Sequence, residues 1–209
     1  MPKTIIEEYI EILDAIYGVY LDGIQGFSSA KKLFENAQKG TLARNIELEK
    51  NKPNDSSAVY NLSIEEFDNS SFIYTKGTKG KPNYRILHYC STQAQYKERN
   101  SPDGENYRFI GNMALISIYE YWQNSCRNKL AKHHEVNSDK VVSPIFGDLR
   151  LLRHSIVHHK GIALSNVERC LIFTWFKADD DIFINDDKME DIVATIKRSK
   201  SNLYTIGSA

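Results

Sequence analysis

The stretch Ser143–Gly161, S-P-I-F-G-D-L-R-L-L-R-H-S-I-V-H-H-K-G, decides how the rest of the chain is read. Both of its ends carry helix punctuation. Ser143 is a residue type that caps free backbone N–H groups, and Pro144 suits the first helical position, where a missing N–H costs nothing. Lys160 supplies a basic last turn, and Gly161 accepts the left-handed backbone that ends a helix. At about 100° per residue, Ile145, Leu149, Leu152 and Ile156 fall on one stripe, which should face a core. The opposite face carries Gly147, Arg150, His154 and His158, with Arg153 on its flank. So many cationic or titratable groups on one solvent face call for a phosphate-bearing partner or for structural ion pairs.

Immediately upstream, Asn106 to about Ala131 is nearly continuous helical pattern. Ile110, Ala114, Leu115, Ile118, Tyr119, Tyr121, Trp122 and Leu130 cover a wide apolar arc, the mark of a central helix buried on more than one side. Its remaining stripe presents Glu120, Asn124 and Arg127, candidates to orient a histidine or to hold RNA, or else a solvated stripe with an internal ion pair. Downstream, Ser165-x-x-Glu168 reads as a capping box for a helix through Trp175, ended by Asp179-Asp180-Asp181. After the apolar link Ile182–Ile184, a last helix begins at Asn185 or Asp186 and turns Met189, Ile192, Val193 and Ile196 inward.

At the other end, Thr4-x-x-Glu7 is a capping box for a helix to about Gln25, with Gly26 as its break. Further helices are expected over 28–39 and 42–50. Ala58–Leu62, Phe72–Thr75 and Ile86–Cys90 are short β-branched and aromatic runs, and the last two flank a Gly- and Pro-punctuated turn. The expected fold is mainly α: a helical bundle with an irregular or small β-hairpin insertion around residues 58–90. It forms a single domain over 1–209, with N-terminal helices over 1–50, insertion and loops over 51–105, and a motif-bearing helical core over 106–198.

With 41% hydrophobic and 26% charged residues, the 209-residue chain has the composition of a soluble globular protein. Its formal net charge is zero, so attraction to nucleic acid must come from a local patch. Cys90, Cys126 and Cys170 are odd in number and far apart, and read as reduced thiols. No apolar signal core opens the chain and no run approaches membrane-spanning length, so the expectation is a cytoplasmic protein with no membrane association. His133-His134 with His158-His159 lack the motif spacing of a zinc site, and the acidic group Asp179–Asp181 with Asp186 and Asp187 reads first as the end of one helix and the start of the next and second as a divalent-cation site, so no metal or cofactor is expected. Lys76, Lys79 and Lys81 with Tyr74 and Tyr84 form a basic, aromatic-interleaved turn, read first as solvated and second as an RNA contact.

Arg153-His154-Ser155-Ile156-Val157-His158 resembles the motif of the HEPN superfamily, whose ribonuclease members carry Arg, four to six residues, then His. The resemblance covers about residues 85–195 and rests on the late helix, the aromatic Tyr121-Trp122 of the preceding helix, and the phrases around Ser91–Asn100 and Lys177–Ile184. It implies a HEPN-like bundle, a metal-independent endoribonuclease of toxin or phage-defence type, and a homodimer with the motif lining a shared cleft. It also implies an antitoxin or defence-system partner. Some family toxins carry Tyr two residues after the motif His, where this chain has Lys160, which sets that mode of neutralisation apart.

The chemistry is consistent with the residue types. Cleavage of RNA by its own 2′-OH needs a base, an acid and positive charge on the phosphorus centre. Imidazole titrates near working pH, and guanidinium grips two phosphate oxygens. The expected catalytic residues are Arg153, His158 and His154, with Arg150, Arg127, Asn124 and Glu120 on the substrate. Helical geometry places Arg153 about 140° from His158, so the compact site is expected to need a second copy of the helix. His159 falls at the angle of Leu152 and is expected on the core side. The competing reading pairs Arg153 and Arg150 with acids such as Glu120 and makes the histidines helix-end groups.

Overall fold

A computed structural model describes residues 4–51 and 63–207. The chain opens as expected: the Glu7 amide donates to Thr4 Oγ1 (3.1 Å) and the Thr4 amide donates to the Glu7 carboxylate (2.9 Å). It does not stop at Gly26. Helix α1 runs Ile5–Asn51, absorbing all three helices expected there. A mid-helix glycine costs only about 1 kcal/mol against alanine, and no proline interrupts the run. The chain divides into two compact units, Met1–Gly23 with Arg108–Ala209, and Ile24–Tyr107.

The first unit is mainly helical. It holds the start of α1, most of α4 (Glu105–Tyr121), α5 (Arg127–His133), α6 (Pro144–His158) and α7 (Asp186–Arg198). A short pair of strands, β3 (Val141–Val142) and β4 (Thr205–Ile206), runs antiparallel. The broad apolar arc is buried through Leu115 and Ile118 of α4 and Trp122 just beyond it, as expected for a central helix, while Tyr121 at its edge is exposed. Trp122 stacks on Phe146 of α6 with ring centroids 4.0 Å apart, and Tyr9 meets both rings edge-on. The buried Tyr9 hydroxyl donates to the Ile118 carbonyl (3.0 Å), so the aromatic cluster leaves no orphan oxygen there. Between α4 and α5 the helix continues through one π turn, Trp122–Cys126, which inserts a residue into the expected i, i+4, i+7 stripe.

Helix α7 is capped by Asn185, whose side chain accepts from the Lys188 amide, and buries Met189, Ile192, Val193 and Ile196 as the pattern requires. The link before it is threaded tightly. A Cβ on Gly111 would lie 2.0 Å from the Ile184 carbonyl oxygen, and Asn112 donates to the Ile182 carbonyl while accepting from the Ile184 amide.

One expected helix is absent. Ser165–Arg169 is a single 3₁₀ turn, and the chain beyond it is irregular. The buried carboxylate of Asp148 on α6 accepts from the amides of Leu171, Ile172 and Phe173 at 2.7–3.0 Å. Those amides cannot also serve an α-helix. Glu168 does not complete a capping box and instead accepts from the Ala178 amide (3.1 Å).

The second unit carries the expected hairpin, β1 (Ser71–Lys76) against β2 (Arg85–Thr92), antiparallel with two register irregularities. Two short helices flank it, α2 (Ile64–Asn69) and α3 (Gln93–Arg99), each opened by a complete capping box; both lie in the segment expected as insertion and loops. Phe34, Phe72 and Tyr96 pack with centroids 4.2–5.4 Å apart. Buried Gln38 donates to Asp68 and Gln93, joining α1, α2 and α3. The Ser101–Gly104 turn is closed by a backbone bond of 2.8 Å. The run Ala58–Leu62 lies outside the described residues.

Candidate active site

Helix α6 has the expected apolar stripe and the expected cationic face. Ile145, Leu149 and Leu152 are buried, while Arg150, His154 and His158 are exposed. Its ends differ from expectation in informative ways. Ser143 makes no side-chain cap, and its Oγ is buried without a hydrogen-bond partner among the described residues. At the other end the helix stops one residue earlier than a continuous spiral requires. His159, at φ −126°, leaves the helical path and is exposed rather than on the core side. Ser155 takes the inward place: its Oγ accepts from the Leu164 amide (3.1 Å), and Lys160 and Gly161, both at positive φ, reverse the chain.

The expectation that Arg153 cannot reach His158 within one chain is corrected by the structure. Arg153 Nη1 lies 3.4 Å from His158 Nε2. The helical angle fixes where the side chains start, but a guanidinium on its flexible stem spans the difference. Its position is held from α4: Glu120 Oε1 is 2.9 Å from Arg153 Nη2, and Asn124 donates to the other Glu120 oxygen (2.7 Å). The His154 and His158 rings are 4.8 Å apart, and His159 stands 5.7 Å from His154. Partial desolvation and the electrostatic effect of the neighbouring His158, His159, Arg153 and Arg150 side chains hold the His154 imidazole below its ordinary pKa. His154 therefore favours the neutral, proton-accepting form.

Of the expected substrate residues, Glu120 and Asn124 do meet Arg153, the first directly and the second through Glu120. Arg127 does not. The π turn swings it away, so that Nε donates to the Val141 carbonyl (3.0 Å) and Nη1 to Gln123 Oε1 (3.0 Å). With Arg150 it lines a cleft of about 250 Å³ beside the first turn of α6. Tyr119 borders the same cleft; burial raises its phenol pKa, while the charges of Arg150, Arg127 and Arg153 oppose that rise. Beyond the other end of α6, His158, His159 and Lys160 border a second hollow of about 630 Å³. The site is thus a cationic ridge between two hollows.

Sequence reasoning missed Asp148, Tyr119 and Gln123. Asp148 left a signal: a carboxylate one residue from Leu149, at the edge of a core stripe, must find buried donors. The other two are ordinary members of an aromatic-rich helix. Among the described residues no group of three or more His, Cys, Asp or Glu is placed to hold a metal ion, and no helix is long and apolar enough to cross a membrane. His134 lies against Tyr204 (Nε2 to hydroxyl, 2.8 Å), and Asp181 pairs with Arg108 (2.7 Å). Comparison of the chain with family models, with curated proteins and with solved structures finds no match.

Proposed function

We propose that the chain is a metal-independent endoribonuclease of HEPN type, acting as a toxin or in anti-phage defence. The observation that carries this reading is the Arg153–His158 contact of 3.4 Å on the exposed face of α6, with the His154 ring beside it. In the reaction the 2′-oxygen attacks phosphorus and the bond to the 5′-oxygen breaks. His158 moves the proton at one end of that exchange, and His154 is the second acid–base group, held in its neutral form by its lowered pKa and, once protonated, a readier proton donor. Arg153 offsets charge on the phosphorane-like transition state. The products are a 2′,3′-cyclic phosphate and a 5′-hydroxyl. RNA is the partner, and a second copy is proposed to dock along α6, where Gly147 has open space and Val157 is exposed. An antitoxin or defence-system protein is the proposed restraint.

Incubation with RNA in EDTA tests the reading. Cleavage that survives the chelator and falls by about 10²-fold or more in both His158→Ala and Arg153→Ala is the expected result. Cleavage unchanged in these variants overturns it.

The Glu120–Arg153 pair favours one second reading, a non-catalytic RNA-binding or protein-interaction module in which Arg153 is a structural ion-pair partner. RNA bound but left intact by the wild-type protein, with affinity falling steeply as salt rises, identifies that case.

A further inference from the structure

We propose that the cleft at the start of α6 is a phosphate-binding site, separate from the Arg153–His158 pair. Four observations converge on it. Arg127 and Arg150 line it, and no carboxylate does. Among the described residues Arg150 has no hydrogen-bond or ion-pair partner. The first turn of a 15-residue helix borders it through Ser143, Phe146 and Gly147. Ser143 is 7% exposed, and its Oγ has no partner.

The last observation separates this helix start from an ordinary one. A serine before a helix normally spends its oxygen on the N2 or N3 amide. Here it does not, and the Ile145 and Phe146 amides have no side-chain cap. A buried hydroxyl left unpaired is destabilising, and a simple cap would recover that loss. The arrangement instead keeps a hydroxyl donor and two amide donors unspent at the positive end of a helix, with two guanidinium groups beside them. That donor set matches an anion with several oxygens, and no carboxylate lines the cleft to repel it. At about 30 Å³ per water, the 250 Å³ cleft has room for a phosphate group and some of its hydration.

The ligand chemistry is a phosphate mono- or diester, from a free nucleotide or from a strand of RNA. Arg150 and His158 are eight residues apart on α6, about 12 Å along its axis, so one strand spans both. The site does not depend on cleavage: it binds phosphate whether or not His158 acts on RNA.

The test follows the Ser143, Ile145 and Phe146 amides by NMR while sodium phosphate is titrated at constant ionic strength with sodium chloride. Saturable shifts of these amides, weakened about tenfold or more in Arg150→Ala and weakened again in Ser143→Ala, are expected. Arg150 is exposed, so its variant tests binding without disturbing the core. Shifts that chloride reproduces, that fail to saturate, or that persist unchanged in Arg150→Ala overturn the proposal. Competition by a short oligouridylate supports the site with a strand as its source, and competition by uridine 5′-monophosphate alone supports it with a free nucleotide. Phosphate binding retained in His158→Ala keeps this result distinct from the nuclease test.

Discussion

His154 is a candidate site residue whose surroundings alter its chemistry. Desolvation and four neighbouring positive or protonatable groups depress its pKa, so the folded protein resists putting a proton there. An unfolded chain binds that proton near the ordinary imidazole value of about 6.5. Folding is therefore opposed by His154 once pH falls below that value, and unaffected by it above. Two-dimensional NMR titration is expected to place His154 below a free imidazole. In His158→Ala, which removes the neighbour with the largest electrostatic effect on His154, the midpoint should move back up. An unmoved midpoint denies the coupling between the rings. Asp148 illustrates the opposite case, a charged group whose partners are backbone amides and whose importance is to the shape of the chain.

Among the elements, α1 and α6 give contrasting lessons about what the residue pattern discloses. The capping box at Thr4, the apolar stripes of α6 and α7 and the β1–β2 hairpin were all legible, because each is set by contacts within a few residues or by a strict period. The extent of α1 was not, because whether a glycine ends a helix depends on what packs around it. Gly26 is helical, and a methyl group added at its Cα would meet nothing within 4 Å. Gly26→Ala is accordingly expected to stabilise the protein by roughly 0.5–1 kcal/mol, read as a raised midpoint in urea unfolding. The absent helix after Ser165 failed for the reverse reason: a long-range acceptor, Asp148, took its amides. At the site, the residues were legible and their grouping was not. Sequence distance along a helix gave the angle between Arg153 and His158 but not the reach of the guanidinium. The π turn, invisible in composition, moved Arg127 from the Glu120 stripe to the cleft beside Arg150.

At the scale of the molecule, two cysteines report on the first unit as a whole. Cys126 and Cys170 are buried and unpaired, and burial pushes both thiols up to about 12. Neither forms useful thiolate at neutral pH. Their reaction with an aromatic disulfide reagent is expected to be negligible in buffer and to rise with denaturant in step with unfolding. Rapid modification of Cys126 or Cys170 in the native protein, mapped by mass spectrometry, would contradict this burial.

The Glu120–Arg153 pair also bears on how ions in solution influence the protein. Any phosphate that reaches Arg153 meets a guanidinium already matched by a carboxylate, so it swaps one fixed anion for another and frees few dissolved ions. A phosphate reaching Arg150 meets a charge with no carboxylate partner among the described residues, and it releases the dissolved anions that such a charge attracts. The two arginines, one turn apart on the same helix, thus differ in kind: added salt weakens what Arg150 holds and is nearly indifferent to Arg153.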